Sequence, residues 1–349
     1  MSLVLCSTVV RKTKDIAHSG QVFLIDWSND PKIVSSMFTE LPKTPVSELS
    51  NKRGGLRGAT GIKFAQKDCF WFTNYDTAFK YTLNFKKVDE IYNEFFAGIH
   101  QIWLDGKHLY VTSTMLDRLY KVNTETKVVD LALDLKEQQW LEPLLEKRKK
   151  FLVNKGCKQV GLTFRVDDYN LILNREKSKI NVCNWDYKSA PGVGRVDLTH
   201  LNNVQIINSK TYINLKDVGA FVELPSKVLL DYPIEYESHD TTIMPDGNFV
   251  MNCSGDGLVR VWNSKCTLKK EILLTNKICK IYGEHYRELV KPSPWNQGFG
   301  LLPNGNFVVG HVPAGLLELD TNGNVVKHLN LASEQSRDNK VHGIDVRTF

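Results

Sequence analysis

Four side chains stand at matching places in this sequence of 349 residues and have the types to share one chemistry. His239 lies eight positions before Gly247, in the stretch Ser238-His239-Asp240 to Pro245-Asp246-Gly247-Asn248, and Gln297 lies eight before Gly305 of Pro303-Asn304-Gly305-Asn306. His100 and His342 each open a similar run, Ile99 to Leu104 ahead of Asp105-Gly106, and Val341 to Val346. Three imidazoles and a carboxamide suit a divalent transition ion such as Mn, Fe or Zn, and an incomplete protein shell leaves positions for water or substrate. Two other uses fit the same residues. One is a polar lining that binds ordered water or a neighbouring carbonyl. The other is direct acid–base use of a histidine, with Asp240 or Asp345 nearby, although period-two alternation turns those aspartates to the opposite strand face.

Gln159 and Arg57 join the ligand-binding set at the same place, Arg57 within Gly54-Gly55-Leu56-Arg57-Gly58. No helix follows that glycine run, so it is not a phosphate loop. His311 reads as a loop histidine at the end of a strand. His18, His108, His200, His285 and His328 fall in turns or outer regions and receive no role.

The elements that must position these residues recur along the chain. Each unit has a polar residue, a short apolar strand, a turn with Asp or Asn and Gly, then two more strands. Clear copies begin at Gly98, Ser238 and Asn296; weaker ones run from Gly58 to Leu83 and from Gln159 to Trp185. A further unit assembles from both chain ends, residues 1–40 with 341–349, which removes the exposed sheet edges. The pattern predicts an all-β, six-bladed β-propeller spanning 1–349 as one domain. Two stretches break the period. Leu135 to Val153 sets Trp140 or Leu141, Leu144, Leu145 and Leu152 on one face, which predicts an inserted helix over about 135–153. Tyr187 to Pro233 reads as an elongated fourth blade with a long crossover.

Ser254-Gly255-Asp256-Gly257-Leu258-Val259-Arg260-Val261-Trp262-Asn263, after Pro245-Asp246-Gly247, resembles the end of a WD repeat. Units such as Gly98 to Thr114 look more like the NHL and gluconolactonase-type propellers. The resemblance implies a channel whose one end gathers the inner-strand heads. Propeller lyases, hydrolases and lactonases carry polar and often metal-binding side chains there. The WD family's structural histidine sits farther upstream of the Asp-Gly turn than His239 does here, which places His239 at the channel mouth.

Composition narrows the function classes. A net charge of +6 from 45 basic and 39 acidic side chains is too mild for a dedicated nucleic-acid domain. The basic run Glu146 to Lys150 reads as a solvated helix face. No apolar run is long enough to span a bilayer and no signal peptide is legible, which predicts a cytoplasmic protein without a membrane partner. Seven scattered cysteines suit buried, reduced thiols. Contiguous catalytic motifs are missing: no Gly-x-Ser-x-Gly, no His-Glu-x-x-His and no dinucleotide fingerprint. The expectation is a propeller binding a small polar or sugar-like ligand, with lyase or hydrolase chemistry if enzymatic. The rival is a non-catalytic interaction or structural module with a protein partner.

Overall fold

The computed structural model describes residues 2–10, 20–43, 58–66, 68–154, 198–289, 295–331 and 339–348. Its strands form six four-stranded antiparallel sheets, the blades of a propeller. The inner strands are Asn339–Thr348, Ile62–Phe64, Ile99–Asp105, Leu201–Ile207, Ser238–Ile243 and Asn296–Leu301, heading blades one to six in that order. Blade one is built from both ends of the chain: Ser2–Val10 pairs with Asn339–Thr348, with Leu5 opposite Asp345 and Ser7 opposite Gly343. That pairing closes the ring: the C-terminal strand is the inner strand of a blade whose other three strands come from the N-terminal end.

Burial explains why each strand reads as it does. Second strands lie between neighbouring blades and are covered on both faces, so they are short continuous apolar runs; Phe249–Cys253 is buried at every position. Outer strands face solvent on one side, and Lys32–Phe38 buries no residue fully. The core is a set of clusters between adjacent blades. Leu3, Leu5, Val22 and Leu24 of blade one, for example, pack on Phe70, Phe72, Phe79 and Tyr81 of blade two.

Close packing at the channel wall depends on Gly310. A Cβ there would lie 2.2 Å from Val341 Cγ1 and 2.4 Å from the Gln297 carbonyl oxygen. Gly310→Ala is therefore expected to cost about 1–3 kcal/mol by overpacking, read as a lower urea midpoint; an unchanged midpoint would show that the inner strands yield freely.

Blade four differs from expectation. Its strands are Leu201–Ile207, Lys210–Leu215, Ala220–Glu223 and Lys227–Asp231, so it falls within the stretch read as an elongated blade with crossover. The ring is complete without the repeat copy read at Gln159 to Trp185, which lies outside the described residues. The first hairpin turn of this blade fills its two positive-φ positions with Asn208 (50°) and Ser209 (62°), between paired Ile207 and Lys210. It lacks the usual glycine.

The inserted helix is α1, Glu142–Asn154, preceded by single turns at Leu135–Glu137 and Gln139–Leu141. It buries Leu144, Arg148 and Leu152, one face at a four-residue spacing. The basic run is not a purely solvated face. Arg148 donates to Asp217 Oδ2 at 3.0 Å, both side chains buried, and Lys147 Nζ donates to the carbonyls of Gly219 at 3.0 Å and Tyr232 at 2.8 Å. Two further helices, α2 (Leu274–Tyr282) and α3 (His285–Leu289), link blade five to blade six. No described helix is long and apolar enough to cross a membrane.

Candidate functional site at the channel mouth

The inner-strand heads are irregular, and the irregularity shapes the site. Between Ser238 opposite Cys253 and Asp240 opposite Asn252, one extra residue, His239, is accommodated. The same slip occurs at Asn202, at Gly298, at His342, and across His100 and Gln101. A β-bulge of this kind sets two residues against one and redirects their side chains. Strict alternation therefore fails here. His239 and Asp240 are both buried at the channel, 2 % and 3 % exposed, contrary to the expectation that Asp240 faces away. Asp345 instead accepts from Lys63 Nζ and from the Phe64 N–H, each at 2.7 Å.

A repeated polar tie holds these heads in place. Ser7 donates to the Thr60 carbonyl at 2.6 Å, Thr114 to that of Leu201 at 2.6 Å, Asn202 to that of Ser238 at 2.9 Å and Asn252 to that of Gly298 at 2.8 Å. Each bond runs from one blade to the head of the next. The buried carbonyls are thereby satisfied.

Three of the candidate residues, His100, Gln297 and His342, fall into a chain of ring and amide contacts, and His200 joins them. His100 Nε2 lies 3.1 Å from His200 Nε2, and the Gln297 amide Nε2 lies 3.1 Å from His342 Nε2. The ring centroids of His100 and His342 are 5.2 Å apart, and those of His200 and His239 are 6.5 Å apart. His200 is 6 % exposed with a positive φ of 54° immediately before its strand, so the outer-region reading of this residue is corrected. Gln159 and Arg57 lie outside the described residues. Trp295 packs on His239 with centroids 4.5 Å apart, and Lys340 Nζ sits 3.8 Å over the Trp295 ring.

Hydrogen bonding fixes the imidazole tautomers. His100 Nδ1 contacts the Gly98 carbonyl at 3.2 Å and His239 Nδ1 the Glu237 carbonyl at 2.9 Å, in each case two residues back along the chain. A carbonyl oxygen accepts only, so both Nδ1 atoms carry a proton, and a neutral ring then presents a lone pair at Nε2. Ser254 Oγ, 2.8 Å from His239 Nδ1, donates its own hydrogen bond to the Asn296 carbonyl at 2.5 Å. Burial holds the His239 pKa well below the usual imidazole value, and the charges of Lys216, His200 and His342 push the same way; the Glu237 carbonyl opposes them. His239 is thus neutral at pH 7, with Nδ1 engaged and Nε2 making no hydrogen bond among the described residues. Gln297 leaves Oε1 buried with no partner among the described residues.

Neutral imidazoles have the donor chemistry for a transition ion, and their carbonyl-bonded Nδ1 atoms match the usual support of metal-binding histidines. Yet among the described residues no group of three or more His, Cys, Asp or Glu side chains gathers closely enough to hold one.

No protein-family model matches the chain, and neither does any curated protein. Solved structures do. A Bacteroides caccae protein of unknown function aligns over 100% of this chain and 99% of its own, at 10% identity and a TM-score of 0.54. A chain of a nidogen/laminin complex gives the same coverages at 10% identity and a TM-score of 0.50. A putative 6-phosphogluconolactonase from Bacteroides fragilis covers 95% of this chain and 83% of its own at 8% identity, also with a TM-score of 0.50. These likenesses establish the fold alone. Shared architecture does not carry function, because sites are grafted onto folds residue by residue.

Proposed function

We propose that the protein binds a small polar, sugar- or lactone-like ligand at the histidine mouth of its channel. The observation that carries this reading is His239: a buried, neutral imidazole whose Nδ1–H is pinned by the Glu237 carbonyl while Nε2 is left unengaged. A ligand hydroxyl would donate to that lone pair. The buried Gln297 Oε1 is a second acceptor without a partner among the described residues, and leaving such a group unanswered costs about 1–3 kcal/mol, which a ligand donor recovers.

The same arrangement suits proton transfer of the lyase or hydrolase type, with His239 Nε2 taking a proton and its carbonyl-bound Nδ1–H steadying the imidazolium. The test is calorimetric titration with glucono-δ-lactone and gluconate, alongside elemental analysis of untagged protein. Saturable binding weakened at least tenfold in His239→Ala, with the fold intact by circular dichroism, supports the reading. Equal binding in the variant, or none in the parent, rejects it.

A second reading, a protein-interaction module, is favoured by the outer edge of blade one. Ile33, Val34 and Phe38 on the unpaired side of that sheet are 41%, 54% and 47% exposed, and apolar edge strands are pairing sites for other chains.

A further inference from the structure

Beyond the histidines, a little further along the same strands, the channel opens into a half-open cavity of about 40 Å³. All six blades contribute to its wall, through Ile344, Lys63, Gln101, Asn203, Asp240 and Phe299. A single water needs roughly 10–15 Å³ by the same kind of measure. The space therefore accommodates a head group of a few heavy atoms.

Its charge is one-sided. Lys63 is committed to Asp345, 2.7 Å away, and lies 4.1 Å over the Trp103 ring. Asp240, 3 % exposed, meets only neutral donors: the Gly298 N–H at 2.6 Å and Gln101 Nε2 at 3.2 Å, with the Asn203 and Asn252 amides beside it. Among the described residues no cation is paired with it. A buried carboxylate without a counter-charge is costly, and a ligand cation would remove that cost. Because Gln101 turns its NH₂ group to Asp240, its Oε1 remains to accept a bond. Phe299 supplies an aromatic face of the kind that attracts cations.

We propose that this cavity is a second ligand site, separate from the histidine mouth, which takes a small organic ammonium through Asp240, Gln101 and Phe299. An anion is disfavoured by the carboxylate, and a neutral alcohol gains nothing from its charge. The probe is ethylammonium chloride, titrated calorimetrically into the full chain at fixed ionic strength, with ethanol and sodium acetate as the neutral and anionic comparisons. Saturable ethylammonium binding is expected, weakened at least tenfold by Asp240→Asn, which keeps the side-chain shape. Thr242→Trp, at another position on the cavity wall, fills the space while keeping the carboxylate in the chain and should weaken it as much, so the proposal stays testable even where Asp240→Asn fails to fold. Undiminished binding in either folded variant, equal binding of ethanol or acetate, or no saturable binding at all overturns the assignment.

Discussion

Taking the protein from pH 7 to pH 4 will cost it about 3 kcal/mol through His311 alone. This residue ends the second strand of blade six, 1 % exposed against Tyr282, with ring centroids 5.7 Å apart. Burial pushes its pKa down from 6.5 to about 4; His328 adds to the depression and the Val312 carbonyl opposes it. Below pH 6.5 the unfolded chain takes up a proton that the folded chain refuses until about pH 4, so stability falls across that window and then levels off. A difference of about 2.5 units corresponds to about 3 kcal/mol. His239, depressed for the same reason, adds loss in the same direction.

Asp240 works against them. Burial raises its carboxyl from 3.8 to about 6, against the pull of its hydrogen-bond donors. Between those values the folded state holds the proton and the unfolded state does not, so this group adds stability as pH falls from 6 towards 4, again by about 3 kcal/mol at most. Urea unfolding of the parent, His311→Leu and Asp240→Asn from pH 7 to 4 separates the two. Relative to His311→Leu the parent should lose stability as pH falls; relative to Asp240→Asn it should gain. Parallel curves for the parent and His311→Leu would mean that His311 titrates normally in the fold.

The parts of this architecture legible in the sequence were those fixed by local turn chemistry. Pro245-Asp246-Gly247-Asn248 and Pro303-Asn304-Gly305-Asn306 each place glycine at a positive φ, 79° and 83°, where other residues are strained. That common constraint aligned His239 with Gln297. The pairing of the two chain ends followed from the need to cover sheet edges. Blade four was obscured because Asn208-Ser209 performs the turn without glycine. The exposure of Asp240 to the channel was missed because a bulge is set by contacts with the neighbouring strands and blades, and no period in the sequence marks it. Arg148 was misread for a related reason: its partner Asp217 is far along the chain, and only packing of α1 on blade four brings the two together.

His200 was missed because nothing local marks it, and what positions it is a distant carboxylate. Asp117, 1 % exposed, ends a turn of blade three with a positive φ of 54°. Its Oδ2 accepts the Leu198 N–H at 2.5 Å and its Oδ1 the Thr199 N–H at 3.0 Å, and the Thr199 hydroxyl bonds to it as well. The chain is gripped at 198 and 199, and His200 follows at once, its Nε2 directed to His100. Asp117→Ala would leave two buried N–H groups and a hydroxyl without their acceptor, at about 1–3 kcal/mol apiece before relaxation. A net loss of about 3–5 kcal/mol is expected, among the larger effects of a single substitution. Asp117→Asn retains one acceptor oxygen and should lose roughly half as much. The grip also has a readout apart from stability. At a temperature where the variant remains folded, the His200 and His100 imidazole resonances, assigned by single His→Gln substitutions, should shift in Asp117→Asn while those of His285 and His328 stay in place. If all four are unmoved, Asp117 secures the blade junction without positioning His200.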